Sequence, residues 1–215
     1  MARPRQFNEE AVRDSAVRCF WSRGFGATSI KDLIEETGIT AASLYNAFGD
    51  KRALFRMALD HYVERGIGER IRRLESLPPR EAIGAFFEDV VRRSLSDPER
   101  KGCMVVNSAL ELAPHDLEFR EIVSGVLGRI EAFLLECIKA GQADGTITRS
   151  VPARDLAHHL FALLIGVRVL ARLRPEKALL DGAIRPALAL LDGAHGPVGK
   201  TGAPETTRRS RRSRR

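Results

Sequence analysis

Most of what marks an enzyme is missing from these 215 residues. There is no Gly-x-Ser-x-Gly, no phosphate-binding glycine loop, no His-Glu-x-x-His and no convincing pair of carboxylates. No catalytic residue and no cofactor are therefore expected. The histidines are scattered over His61, His115, His158, His159 and His195. Adjacent His158 and His159 would point about 100° apart on a helix, which does not suit one ion, so no metal is expected. Cys19, Cys103 and Cys137 have no paired spacing, which speaks against a disulfide framework and for a reducing, cytoplasmic setting. The charged start "MARPRQ" carries no cleavable apolar leader, and no apolar run approaches the roughly 20 residues of a membrane span. The longest, "LFALLIGVRVLARL", is interrupted by Arg168 and Arg172. A soluble chain without a membrane partner is expected.

The net charge of +7 would by itself point to an anionic partner. Its distribution weakens that inference. From Gly193 onward there are seven basic residues and one acid, so residues 1–192 are close to neutral. This last stretch, 193–215, is Gly-, Pro- and Arg-Ser-rich with nothing to pack, and reads as a disordered tail. It could add sequence-independent attraction to nucleic acid or be a neutral extension.

Nearly every long segment before the tail repeats apolar residues at three and four positions, and strand-like alternation is hard to find. The chain is read as all-α. Asn8 caps a first helix lined by Val12, Ala16, Cys19 and Phe20, with the lone Trp21 beside that core, and "SRGFGAT" ends it. Thr28 caps a second helix whose inner side is Ile30, Leu33 and Ile34, broken at Gly38. Thr40 caps a short third helix ending near Phe48. Asp50 caps a long fourth one carrying Leu54, Met57, Leu59 and Tyr62. Beyond Pro78-Pro79, helices are expected at about 80–96, 102–113, 115–141, 152–173 and 176–191. The expected organisation is a three-helix unit over 1–50, a larger helical unit over 51–192 entered through the fourth helix, and the tail.

Helix, turn and helix from Thr28 to Phe48 is an arrangement in which the second helix can enter a major groove. On that helix Ala41, Leu44, Ala47 and Phe48 fall on one side and Ala42, Ser43, Tyr45 and Asn46 on the other. An outward Tyr beside Asn and Ser makes a poor core but suits phosphates, thymine methyls and base edges. Thr28 and Thr40 place helix N-termini where dipole and N–H groups attract phosphate, and Lys51 would add a charge beside another. Arg3 and Arg5 sit on an arm that could reach a minor groove. Taken alone, the pattern also fits three packed helices with a short exposed one, or a helical adaptor using Tyr45 and Asn46 to meet a protein.

The stretch "AVRCFWSRGFGATSIKDLIEETGITAASLYNAFGDKRALF" resembles the N-terminal domain of TetR-family transcriptional regulators. The likeness lies in the "FWSRGF" ending, the "TSI..LIEETGI" second helix and the "T..SLY..F..K..LF" string, and "AGQADGTIT" is similar to the family's run before its penultimate helix. The resemblance implies a DNA-binding repressor that holds a near-palindromic double-stranded operator as a homodimer and leaves it when a small-molecule or reactive inducer binds. It implies phosphate contacts from Thr28, Thr40, Tyr45 and Lys51, and a groove-facing group of Ala41, Ala42, Ser43 and Asn46. The sequence departs from the commoner pattern at Ala41-Ala42, where a polar or basic residue is frequent, and at Asn46, where an aromatic or His is.

The larger unit is then expected to sense a ligand and to pair with its copy through the last two helices, "DLAHHLFALLIGVRVLARL" and "AIRPALALLD", as a four-helix bundle. Burial within one chain is the alternative. Cys103, at the start of a helix, would be favoured as thiolate by the dipole, or is a small buried apolar side chain. Asn107 and Glu111 share its helix face at successive four-residue steps. That face is a candidate pocket wall, unless Asn107 serves backbone and Glu111 pairs with an Arg.

Overall fold

The computed structural model describes residues 7–192; the Arg3 and Arg5 arm and the 193–215 tail lie outside the described residues. Within them the chain is helical with no strand. α1 (Glu9–Arg23), α2 (Ile30–Thr37) and α3 (Ala41–Phe48) come first. α4 (Lys51–Tyr62) runs through a π-helical segment (Val63–Gly68) into α5 (Glu69–Leu74). α6 (Pro79–Leu95), α7 (Met104–Glu111), α8 (Leu117–Asp144), α9 (Ala153–Leu173) and α10 (Lys177–Asp192) complete the fold.

The starts and stops follow from local chemistry. Asn8 accepts the N–H groups of Glu10 at 2.9 Å and Ala11 at 3.2 Å, satisfying two donors that α1 cannot. α2 is capped by Ser29 rather than Thr28, as Ser29 and Asp32 exchange side chain and backbone bonds in a capping box. Thr40 caps α3 through the Ser43 N–H at 3.2 Å, and Asp50 caps α4 through the Ala53 N–H at 2.7 Å. Gly38, with φ 71°, makes the left-handed turn between α2 and α3, where a side chain would be strained. Pro79 opens α6 at a position whose missing N–H costs nothing.

α1 packs on α4 and α2, and α8 on α9, α6 and α7. α10 lies on α9 and α6, while α7 touches both α4 and α9. One apolar core passes through all of it. The junction between the first helices and the rest is aromatic. Phe55 of α4 meets Phe20 of α1 at 4.9 Å, Phe25 of the α1–α2 turn at 5.2 Å and Phe119 of α8 at 5.3 Å between ring centroids. All three contacts are edge-on, the arrangement ring quadrupoles prefer.

By length and composition α9 does qualify as apolar enough to cross a bilayer, its arginines notwithstanding. In this fold it is a bundle helix against α8, α10 and α6 instead. Trp21 meets Tyr62 at 5.0 Å and Lys101 at 5.3 Å, so it bridges to the larger unit instead of merely backing α1.

Candidate nucleic-acid interface and adjoining cavity

α3 is held by Leu44, fully buried, and Phe48, nearly so. These two fix its roll. The same roll leaves Ala42, Tyr45 and Asn46 exposed, with Ala41 and Ser43 half-buried beside them. Tyr45 is 45% exposed, a large ring with no core to serve. Thr40 is also exposed and donates to Ser43 Oγ at 3.0 Å, so cap and first turn form one hydroxyl pair at the helix N-terminus. Lys51 opens α4 next door, its Nζ 4.5 Å above the ring of Phe25. The cation is thereby positioned by a cation–π contact instead of wandering on its stem.

Thr28 does not join this surface. It is buried, and its hydroxyl donates to the Gly24 carbonyl at 2.6 Å, closing the α1–α2 turn. A side chain committed to that bond cannot reach a phosphate, so Thr28 is a turn residue, and the N-terminus of α2 belongs to Ser29.

The three candidate sensor residues separate. Cys103 caps α7 and lines a cavity of about 490 Å³, accepting a long 3.8 Å contact from the Tyr62 hydroxyl. Asn107 is not on that wall. Its amide donates to the Lys101 carbonyl at 2.9 Å and closes the loop before α7. Glu111 lies at the other end of α7 and accepts the backbone N–H groups of Gly26 at 2.6 Å and Phe25 at 3.1 Å. The shared face is real, but it runs from the cavity rim to the α1–α2 turn and does not enclose a ligand. Glycines let the carboxylate in. A Cβ on Gly24, whose φ is 84°, would stand 2.7 Å from Glu111 Oε2, and one on Gly26 would stand 3.1 Å from Oε1.

A second clasp lies close by. Arg52 of α4 donates to Asp116, the cap of α8, and to Glu118, which Arg56 also meets at 3.3 Å. The Arg52 hydrogen bond holds the Asp116 carboxyl at about 2, below the usual carboxylate range. These arginines thus face the larger unit and are spent there.

The cavity sits across the same junction. Its wall includes Val17 and Trp21 from α1, His61 and Tyr62 from α4, and Val90 and Leu164 from α6 and α9. The π-helical segment contributes Arg65, Gly66 and Ile67, and such wide turns recur at functional sites. Burial pushes the Tyr62 hydroxyl up, so it remains a neutral donor. Sequence reasoning passed over Tyr62, Arg70 and Arg168 here. The signal present in the sequence is Arg168, a cation inside an apolar helical run. His158 lies 3.1 Å from Glu131, away from this wall.

Comparison with known proteins agrees with the geometry. Residues 12–58 match the model of the bacterial regulatory proteins of the tetR family, and residues 79–187 match the tetracyclin repressor-like C-terminal domain. The chain is 35% identical over 178 residues to the uncharacterized HTH-type transcriptional regulator YezE of Bacillus subtilis, spanning 80% of this chain and 91% of YezE. It is 30% identical over 172 residues to the HTH-type transcriptional repressor ComR of Escherichia coli, spanning 79% and 82%. Among solved structures, a cysteine mutant of the TetR-family regulator CifR complexed with 26 bp double-strand operator DNA superposes with a TM-score of 0.80. That match has 31% identity and covers 88% of this chain and 100% of CifR. A helix-turn-helix whose third helix turns Tyr45 and Asn46 to solvent, joined through α4 to a helical C-terminal domain, thus has its relatives, and the chain belongs to the TetR family of DNA-binding transcriptional regulators, which are not enzymes.

Proposed function

We propose that the protein is a ligand-released repressor that binds a near-palindromic operator as a homodimer in the cytoplasm. Its reading head is α3, with Thr40, Tyr45 and Lys51 on phosphates and Ala41, Ala42, Ser43 and Asn46 toward the groove. Asn46 is suited to a bidentate bond with adenine. The naming of ComR as a repressor and the operator complex of CifR support this reading.

The observation that carries ligand control is the position of the cavity, walled by α1 of the reader, by the connecting helix α4, and by α6 and α9 of the larger unit. A molecule filling it bears on both. Movement of α7 from the Cys103 end would pull Glu111 at the other, and with it the turn that orients α2 and α3. Ligand and operator must then weaken each other reciprocally, by about 1.4 kcal/mol for each tenfold change.

Pairing of two copies is supported by α9 and α10. Only 33% of the most apolar stretch of α9 is buried within the chain. Ala162, Gly166, Val169 and Leu173 line its exposed side, and Ala178, Gly182 and Leu190 line that of α10. Small side chains allow two such helices to meet closely, and a dimer would set its two α3 helices about 34–36 Å apart, one DNA turn.

Footprinting on the DNA upstream of the reading frame tests the scheme. Protection of a two-fold symmetric site by a dimer, lost on addition of an effector, is expected. Retardation without sequence preference would reject the operator, and titrations in which effector and operator bind independently would reject the control.

A further inference from the structure

The cavity wall carries an excess of positive charge that the protein does not neutralise. Of its cations, Lys101 is held by Asp97 and Glu99, each at 2.8 Å, and Arg65 lies 3.3 Å from both Glu10 and Asp14. Four carboxylates thus face these two cations, so the surplus comes from the other wall cations, Arg70, Arg93, Arg100 and Arg168. Arg70 and Arg93 both depend on buried Asp89, at 2.7 and 2.8 Å, and Asp89 is shared again with Arg92 and, at 3.9 Å, Arg73. One carboxylate among four guanidinium groups leaves a surplus.

Arg168 has less still. It is half-buried on α9, and its two Nη atoms donate to Ser94 Oγ at 2.9 Å and to the Gly102 carbonyl. Among the described residues no carboxylate lies within ion-pair distance of it. Arg70 feels the crowding. Burial above all lowers its proton affinity; Asp89 opposes that, and Arg93 and Arg168 add to it. An apolar part of the wall, with Trp21, Phe86, Ile130 and Leu164, lies beside polar groups that include His61, Tyr62 and Ser94. Its size falls in the range of about 300–1,000 Å³ typical of small-molecule sites.

We infer that this cavity takes a small organic monocarboxylate whose acid group meets Arg168, while its apolar body lies against Trp21, Phe86 and Leu164. A neutral body without a charge would leave the surplus uncompensated in a partly dry site, and a cation would add to it. A polyanion such as a phosphate ester would waste the apolar wall. The inference rests on the cavity being the effector site proposed above.

The lone tryptophan makes the test direct, because Trp21 is itself part of the wall. Trp21 emission is titrated with 4-phenylbutyrate, 4-phenylbutan-1-ol and 4-phenylbutylamine, and with octanoate against 1-octanol, using the full-length protein. The acid in each series is expected to bind at least about tenfold more tightly than its alcohol, with the amine weakest, as one charge-assisted bond predicts. R168Q, which keeps a polar amide donor but loses the charge, should bring acid and alcohol within about threefold, and R168K should restore part of the preference. Circular dichroism checks that both variants stay folded. Alcohols binding as well as acids, an unchanged preference in R168Q, or no saturable response to either acid would overturn the assignment. Acids that saturate Trp21 without releasing operator would instead reject the effector reading and leave the site. A neutral effector that releases operator and that acids cannot displace would reject the acid and leave the reading.

Discussion

Replacing Glu111 with alanine removes two hydrogen bonds from the α1–α2 turn, those from Gly26 at 2.6 Å and Phe25 at 3.1 Å. A net intramolecular hydrogen bond is worth about 0.5–1.5 kcal/mol, more when the acceptor is charged. Glu111 is exposed, so solvent screening holds the pair to about 1–2 kcal/mol in total. That corresponds to a factor of about 5–30 in the population of the orientation the latch holds. Amide exchange at Phe25 and Gly26 in Glu111→Ala should accelerate by this factor, read by NMR. In the proposed scheme operator affinity without effector should fall over the same range, because the turn sets how α2 and α3 are presented. Glu111→Gln, which keeps one good acceptor, should fall between parent and alanine. Unchanged exchange at both amides would show that the carboxylate does not hold the turn. Accelerated exchange with operator affinity within twofold of the parent would show that the turn is held for packing alone.

Phe55→Ala should destabilise the fold by about 3–5 kcal/mol, since it empties the ring that joins Phe20, Phe25 and Phe119; urea unfolding measures it, and a loss under about 1 kcal/mol would refute the aromatic junction. Tyr45→Ala, at a residue 45% exposed, should leave the melting temperature nearly unchanged while weakening operator binding about 5–30-fold, and Lys51→Ala should reduce the salt dependence of binding as well. An equal affinity in the Tyr45 variant by fluorescence anisotropy would remove α3 as the reading head. The Arg52–Asp116 clasp should depend on pH in a fixed direction: with the Asp116 carboxyl at about 2 in the fold and about 3.9 unfolded, its contribution is complete above about pH 5 and disappears as pH falls through about 2. Stability curves of the parent and Asp116→Asn should therefore converge between those values, and a gap that persists below pH 2 would contradict the pairing.

Most helix ends, the turn at Gly38 and the face of α3 are legible along the chain, whereas the π-helical segment between α4 and α5 is not. Caps and apolar spacing act within a few residues, so Asn8, Thr40, Asp50 and Gly38 could be read without knowing what lay across the fold. Leu44 and Phe48 at four-residue spacing likewise dictated that Tyr45 and Asn46 turn outward. Where two adjacent hydroxyl residues competed, spacing was not enough: Ser29 won the cap because Asp32 completes its box, and Thr28 turned inward to the Gly24 carbonyl. The sensor side was legible only as a helix face through Cys103, Asn107 and Glu111. Tertiary structure decided that one end of that face borders a cavity and the other grips a turn some 85 residues earlier in the chain. It also gathered Arg70 from α5, Arg93 from α6 and Arg168 from α9 around a single space. Charge summed along the chain hides such a cluster, because its potential depends on distances between helices and on which carboxylates the packing leaves out of reach.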